Sequence, residues 1–174
     1  MDIKQATEIA NYIFKDIFLI DNPFTLEELQ KKFAIDIPTV AKVTCALSGE
    51  DTWTFNSLED KIVSQKAVEK QFQKDEWIKK KRRISSIEEI LKAWEEVNYQ
   101  TGEKYINSSN TTESDSIYNS SNVYRSVSIF DSKNIALSYK LFDCNYMFAS
   151  RDNSSCTLGI RVKESIYCSS NFEV

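Results

Sequence analysis

The chain has 174 residues, a formal net charge of −4 and a sequence pI near 5.1, and its length suits one ordinary domain or two small ones. It contains no histidine, which excludes a Ser-His-Asp or Cys-His nucleophile system and any histidine-bearing metal site. Its three glycines, Gly49, Gly102 and Gly159, lie too far apart for a P-loop, a dinucleotide-binding fingerprint or a nucleophile elbow. These absences favour a protein that is not an enzyme and needs no cofactor.

The N-terminus lacks the apolar run of a secretory signal, and no stretch approaches the ~18 apolar residues of a membrane span. The cysteines form no CxxC pair, so we expect free thiols without a metal or a disulfide. The sequence therefore predicts a cytoplasmic protein with no membrane contact, or a virion component if the chain is viral. The cysteines are Cys45, Cys144, Cys156 and Cys168.

The first hundred residues are predicted to be helical. Apolar residues recur at helical spacing over about 2–20, and a capping box of Thr25 and Glu28 begins a second helix. Pro38 suits the first turn of another helix, which we expect to run to about Leu47, before a loop or short strand over 50–57.

Two more helices are expected in this region. The first runs from Leu58 to about Arg82, and the second follows a serine cap and runs from Ile87 to about Tyr99. On the last helix four apolar residues are expected to face inward: Ile90, Leu91, Trp94 and Val97.

The apolar spacing of residues 25–47 resembles the DNA-binding helix-turn-helix of LacI-type repressors. The resemblance implies that 38–47 is the recognition helix and that Thr39 and Lys42 face the major groove. The same spacing also suits a plain helical hairpin. The basic run 79–83 fits either a solvated helix end, a phosphate-contacting patch or a nuclear import signal. The candidate DNA-contacting residues are Thr39, Lys42, Lys79, Lys80, Lys81, Arg82 and Arg83.

The residues from Tyr105 onward repeat every twelve positions through six lines without an insertion. The positions are numbered 1 to 12 within each line, and the lines begin at Tyr105, Ile117, Ile129, Leu141, Asn153 and Ser165. Positions 2 and 8 hold mostly apolar side chains, and position 6 opens with three asparagines. Position 4 holds small side chains: Ser108, Ser120, Ser132, Cys144, Cys156 and Cys168.

This repeat resembles the short-repeat β-solenoids, in which each line of sequence makes one coil of a tube. Side chains two apart point the same way in a strand, so positions 2, 4, 8 and 10 are expected to face inward, with two strands and two corners in each coil. Asparagine tolerates the left-handed conformation and can turn a corner without glycine. The predicted solenoid core contains Ser108, Ser120, Ser132, Cys144, Cys156, Cys168, Phe130, Phe142, Phe148 and Ile160.

The sequence thus predicts an α+β protein with a helical N-terminal domain over 1–100 and a parallel β-solenoid of about six coils over 105–174. The helices are expected to cover the first coil, because an open coil end is an unpaired β-edge. The repeat reaches Val174 without a capping signal. Either the chain is a fragment of a longer protein, or its last coil pairs with another copy or with a partner's strand.

We expect a non-enzymatic structural or interaction protein, whose solenoid is a rigid docking surface in a viral particle or a bacterial scaffold. The alternative is a DNA-binding regulator that uses residues 25–47, with the solenoid as a dimerisation or sensor module.

Overall fold

The computed structural model describes residues 1–56, 61–74 and 80–172. It shows an α+β protein in which a region with four α-helices precedes a parallel β-solenoid of about six twelve-residue coils. The predicted fold class is confirmed.

The first two helices begin at the caps that the sequence provides. Helix α1, Ile3–Ile13, has Asp2 as its N-cap and continues into a π-helical turn, Phe14–Phe18. Helix α2, Leu26–Phe33, has the predicted capping box, in which the Thr25 hydroxyl accepts from the backbone N–H of Glu28. Helices α3, Gln65–Gln73, and α4, Ile87–Val97, each start after a serine N-cap.

The prediction of a helix over 38–47 is wrong. Ala41–Thr44 form strand β1, which pairs antiparallel with strand β2, Asp51–Thr54. The β-branched side chains of this stretch and the pairing with β2 outweigh its helical spacing. The chain therefore lacks a recognition helix at the position where the helix-turn-helix resemblance requires one.

The helix predicted over 58–82 is also wrong in part. Its described portion is strand β3, Lys61–Ser64, followed by α3, and β3 pairs in parallel with strand β4, Tyr99–Gly102. Residues 58–60 and 75–79 of that prediction lie outside the described residues, and 80–82 are not helical. Helix α4 lies where predicted, but its apolar side is exposed: Ile90, Leu91, Trp94 and Val97 are 44–60% accessible.

The solenoid consists of two parallel sheets. One sheet contains strands β5 (Tyr105–Ile106), β7 (Asp115–Tyr118), β9 (Val127–Phe130), β11 (Tyr139–Phe142) and β13 (Arg151–Ser154). The other contains β6 (Ser109–Thr112), β8 (Ser121–Tyr124), β10 (Lys133–Ala136), β12 (Asn145–Phe148), β14 (Thr157–Ile160) and β15 (Ser169–Phe172). Each strand is paired in register with the strand twelve residues away.

Each coil has four corners instead of the predicted two. Every third residue from Asn107 to Ser170 has a positive φ of 46–59°, so the corners occupy positions 3, 6, 9 and 12. These positions carry no valine, isoleucine or threonine, the β-branched types that the left-handed region tolerates least. The coil is therefore four-sided, and each side has one residue pointing inward and one pointing outward.

The inward positions are 1, 4, 7 and 10, three residues apart. Ile117, Leu141 and Met147 are fully buried inside the tube, beside small residues such as Ser120 and Cys156. In the terminal coils Ser108 and Cys168 are half-buried. The inward set also includes Ser132, Cys144, Ser126, Ser138, Ser150, Ile129, Ile135 and Val123.

The predictions for positions 2 and 8 are wrong, because the left-handed corner at positions 3 and 9 breaks the alternation of a flat strand. Phe130 and Phe142 at position 2 are 38% and 51% exposed on the outside of the tube. Phe148 and Ile160 at position 8 are buried, but they lie outside the tube under the N-terminal helices.

Helix α1 lies lengthwise along the position-8 side of the solenoid. Its amino end is held at the first coil, where the Met1 amine donates to the Thr112 hydroxyl at 2.8 Å. Beyond its other end, the Phe18 ring packs on Phe172 of the last coil with centroids 5.1 Å apart. The sixteen residues from Ile3 to Phe18 rise about 24 Å, close to the span of six coils at ~4.8 Å spacing. The helix and the solenoid consequently share one hydrophobic core.

The first coil is covered by strands and a single glutamine. Buried Asp115 accepts from the backbone N–H of Phe55 at 3.0 Å and of Lys104 at 3.3 Å. The Gln65 side chain on α3 accepts from the N–H of Tyr105 at 2.8 Å. These contacts come from the segments that follow β2 and β4 and from α3, and they satisfy the N–H groups of Lys104 and Tyr105 at that end of the tube.

Candidate interaction surface

Serine side chains inside the tube replace hydrogen bonds that the corners remove from the backbone ladder. At position 10 the Ser126 hydroxyl donates to the carbonyl of Tyr124 at 2.9 Å and accepts from the backbone N–H of Ser138 at 3.1 Å. Position 4 repeats the pattern, with Ser132 bonded to Phe130 and to the N–H of Cys144. Each coil is thereby tied to the next from inside as well as along its strands, which makes the tube rigid.

Two of the four sides of the tube are covered by the N-terminal region. Helix α1 covers position 8. At position 11, Asp36 lies 2.6 Å from the Lys163 ammonium, and the Phe55 ring packs on Tyr139 with centroids 5.6 Å apart. The hydrogen bond from Lys163 lowers the pKa of Asp36, so this pair holds the loop against the tube. The sides carrying positions 2 and 5 remain exposed.

The position-2 side carries a row of side chains that are apolar in every coil except the one with Ser154, and we name this row the apolar ladder. The Tyr118 and Phe130 rings stack with centroids 4.9 Å apart and planes 2° from parallel. Ile106, Phe142 and Ile166 are 47%, 51% and 69% exposed. The complete ladder consists of Ile106, Tyr118, Phe130, Phe142, Ser154 and Ile166.

Polar corner residues flank the apolar ladder on both edges. On the position-3 edge, Asn119 donates to the Asp131 carboxylate at 3.0 Å, and Ser155 donates to Asp143 at 3.2 Å. On the position-12 edge, Lys140 lies 3.8 Å from Asp152. The position-3 edge contains Asn107, Asn119, Asp131, Asp143, Ser155 and Tyr167, and the position-12 edge contains Ser116, Ser128, Lys140, Asp152 and Glu164.

The position-5 side is polar, with side chains of Ser109, Ser121, Lys133, Asn145, Thr157 and Ser169. The asparagines at its position-6 edge are bonded to one another from coil to coil, Asn110 to Asn122 and Asn122 to Asn134, each at 2.8 Å. Their amides are engaged along the tube, so this edge stabilises the stack.

Strand β15 is the last strand of its sheet and pairs only with β14 among the described residues. Ile166 and Tyr167, just before it, are 69% and 84% exposed. This end of the solenoid, unlike the first coil, presents a free β-edge within the described part of the chain.

The structure does not gather the candidate DNA-contacting residues on a helix. Thr39 is exposed ahead of β1, and Lys42 on β1 pairs with Asp51 at 2.6 Å. Arg82 pairs with Glu96 at 3.1 Å on the flank of α4. Lys80, Lys81 and Arg83 are exposed near it, and Lys79 lies outside the described residues.

The position-4 cysteines act as packing groups. Burial raises the pKa of the Cys144 thiol to about 11, and the same cause raises that of Cys168 to about 11, so both stay protonated at neutral pH. The Cys156 thiol lies 3.2 Å from the carbonyl of Ser154, as a serine hydroxyl does at this position. Within the described residues no group of acidic or cysteine side chains could hold a metal ion.

Cys45 lies apart from the solenoid, in the turn after β1. Burial raises the pKa of its thiol, but hydrogen bonds from the Ser48 hydroxyl and from the N–H groups of Ser64, Ser48 and Leu47 outweigh that effect and lower the pKa to about 7. Cys45 is 1% exposed and its sulfur accepts the Ser64 N–H at 3.3 Å, so it stabilises this turn.

A cavity of about 310 Å³ lies at the junction between the N-terminal region and the tube, beside Trp53 and Arg125. The Arg125 guanidinium that lines this cavity already has partners, because it donates to the Glu113 carboxylate at 2.5 Å and to the Gln30 side chain at 3.5 Å. The cavity therefore belongs to the joint that holds α2 against the coils.

The fold defines the chain as a parallel β-solenoid with an N-terminal helical region packed along it. No protein-family model, no curated protein and no solved structure matches it. Among the described residues, no helix has both the length and the apolar character needed to cross a membrane.

The apolar ladder was missed in the sequence because position 2 was assigned to the core. The signal that could have found it is the absence of β-branched residues at every third position, which marks the corners. Once the corners are known, the inward residues must lie three apart, beginning at the position-4 serines, and position 2 must point outward.

Proposed function

We propose that the protein is a non-enzymatic assembly protein, whose solenoid is a rigid surface through which copies of the chain associate. The setting would be a multi-copy structure such as a virus particle or a bacterial scaffold. The observation that carries the proposal is the exposure of the apolar ladder. It occupies one of the two sides of the four-sided tube that the N-terminal region leaves uncovered.

An apolar row of this kind is unusual on a surface that faces only water. Contiguous exposed apolar patches on soluble proteins rarely exceed a few hundred Å², and larger ones mark interaction sites. Phe142 and Ile166 are more than half exposed although the same chain buries other apolar residues completely. A flat, regularly spaced apolar row on a rigid support favours a protein partner over a small molecule.

The edge of β15, which pairs only with β14 within the described residues, offers a second route to the same role. An unpaired parallel edge offers backbone donors and acceptors that another strand can bond. Association through this edge would join copies end to end, whereas association through the apolar ladder would join them side by side.

Sedimentation velocity at concentrations from about 1 to about 300 µM tests the proposal over the range expected for a small interface. We expect the wild-type mass to rise with concentration and the double variant Phe130→Ser with Phe142→Ser to remain monomeric. Serine is native at this position in Ser154, so the variant should keep its coils. Lys133→Ser on the position-5 side, where Ser109 and Ser121 occur, is the matched control and should associate like the wild type.

A wild-type chain that stays monomeric at every concentration would contradict the assembly role. Association that persists in the double variant would instead place the contact on another surface, either the edge of β15 or the exposed apolar side of α4.

A further inference from the structure

We infer that the apolar ladder is the contact between two copies of this chain, which lie side by side with their solenoids pointing the same way and related by a two-fold axis parallel to the tubes. This inference rests on the proposed assembly role and adds the partner, the surface and the orientation.

The spacing of the apolar ladder favours a second copy as its partner. Neighbouring side chains of the ladder are separated by one coil, and the stacked rings of Tyr118 and Phe130 are 4.9 Å apart. A second copy carries the same spacing, so every side chain of one ladder meets its counterpart in the same register along the tube. A partner of different fold would match only one or two of them.

The flanking residues of the apolar ladder are complementary in this orientation. A two-fold axis along the tube places the position-12 edge of one copy opposite the position-3 edge of the other. We call the four residues from position 12 to position 3 on this side of the tube a rung. In the rung that carries Phe142, the Lys140 ammonium, which lies 3.8 Å from Asp152 of its own chain, then also faces the Asp143 carboxylate of the second copy, and the reciprocal pair forms as well. In the other rungs Ser128 faces Asp131, Asp152 faces Ser155, and Glu164 faces the Tyr167 hydroxyl.

The opposite orientation brings like charges together. With the tubes antiparallel, the position-3 edges of the two copies would face each other, and Asp131 and Asp143 would meet carboxylates of the second copy. No lysine or arginine occurs at position 3 to balance them. Like charges at an interface disfavour that arrangement, so the parallel one is selected.

The area available fits a reversible dimer. The apolar ladder and its two edges form a surface roughly 25–30 Å long and, over the three residue steps from position 12 to position 3, about 10 Å wide, which is about 300 Å² per copy. A total near 600 Å² is the size of a weak, transient contact, so association should be reversible and depend on concentration.

Chemical cross-linking tests which residues meet. In a Cys168→Ser background, which restores the residue type found at position 4 in the first three coils, Phe142→Cys lies next to the two-fold axis. Packed strand faces lie about 10 Å apart, farther than a direct disulfide spans, so we expect a short bis-maleimide reagent to join two Phe142→Cys chains into a covalent dimer. Thr157→Cys, exposed on the position-5 side, is the matched control and should remain monomeric under the same conditions.

A charge exchange tests the orientation. Lys140→Glu and Asp143→Lys alone should each raise the dimer dissociation constant about tenfold, because each places like charges opposite each other. The two substitutions combined re-form both pairs with reversed signs and should restore the wild-type constant. Thermal melting followed by circular dichroism verifies that each variant keeps its coils.

The outcomes separate this inference from the proposed function. Cross-linking at residue 142 together with rescue by the charge exchange supports the parallel dimer. Association without cross-linking and without rescue overturns it, while the assembly role stands on another surface. The absence of any association at concentrations up to about 300 µM overturns both.

Discussion

The backbone N–H of Ser138 donates to the hydroxyl oxygen of Ser126, twelve residues earlier in the chain, at 3.1 Å. The same hydroxyl donates to the carbonyl of Tyr124 at 2.9 Å, so one buried side chain satisfies a donor in the next coil and an acceptor in its own. The Tyr124 carbonyl also accepts the backbone N–H of Leu137 at 2.9 Å, so without the hydroxyl only the Ser138 N–H would be left unpaired in the interior. Serine is therefore frequent in the solenoid because the four-cornered coil needs a small side chain that accepts an N–H of the next coil.

Ser126→Ala should destabilise the solenoid, because it removes both hydrogen bonds and leaves the buried N–H of Ser138 unpaired, while the Tyr124 carbonyl keeps its bond from the Leu137 N–H. We expect the free energy of unfolding to fall by about 1–3 kcal/mol. Urea unfolding followed by circular dichroism measures the change. Ser121→Ala, on the outward position 5, is the control and should have little effect. Equal losses in the two variants would contradict the internal role of serine.

The corner at Asn134, with φ of 56°, predicts a different response to two apolar substitutions. Asn134→Leu and Asn134→Val both lose the amide bonds to Asn122 and Asn145. Leucine occurs natively at corners in Leu137 and Leu158, whereas a β-branched side chain is strained there. We expect the valine variant to be about 1 kcal/mol less stable than the leucine variant in urea unfolding. Equal stability would show that the corner does not hold this conformation.

The repeat length, the parallel solenoid and the small side chains of position 4 could all be predicted from the sequence. The direction of positions 2 and 8 could not, because the prediction assumed the two-residue alternation of a flat strand. A corner at every third residue replaces that period with one of three. Phe142 is therefore outside the tube, although its side chain is as apolar as that of buried Leu141.

The N-terminal region shows where local patterns were outweighed by tertiary contacts. The capping box at Thr25 is local and was found, whereas Val43 lies in a strand because β2 pairs with it. The burial of Phe148 also depends on α1, which is remote in sequence and packs on the outside of the tube. Helical spacing alone could not predict which apolar surface each helix would meet, and the exposed side of α4 has the same origin.

Cys156→Arg should disrupt the coils around it. The native side chain is fully buried, and the tube leaves no room for a guanidinium group that would also be removed from water. We expect a lower melting temperature and a loss of β-sheet signal in circular dichroism. Thr157→Arg places the same side chain one residue later on the exposed position 5 and should melt like the wild type. Unchanged melting of Cys156→Arg would contradict the inward assignment of position 4.

The carboxyl group of Glu103 predicts a pH dependence at the junction between the N-terminal region and the first coil. Burial raises the pKa of this group and nearby Asp115 raises it further, while the hydrogen bond from the Thr52 hydroxyl at 3.0 Å opposes the change. Because the folded-state pKa is higher than the unfolded-state pKa, the protonated carboxyl group stabilises the fold at pH values below the unfolded-state pKa. This stabilisation is lost as the pH rises through the folded-state pKa.

The free energy of unfolding of the wild type relative to Glu103→Gln should therefore fall as the pH rises above the ordinary glutamate pKa of about 4.3. Glu28→Gln should show the opposite trend, because the hydrogen bond from the Thr25 N–H lowers the pKa of Glu28. Its contribution is present above the unfolded pKa and is lost as pH falls through the folded one. Urea titrations of the three proteins at several pH values measure both trends. A wild-type advantage over Glu103→Gln that grows with pH would show that the junction favours the charged carboxylate.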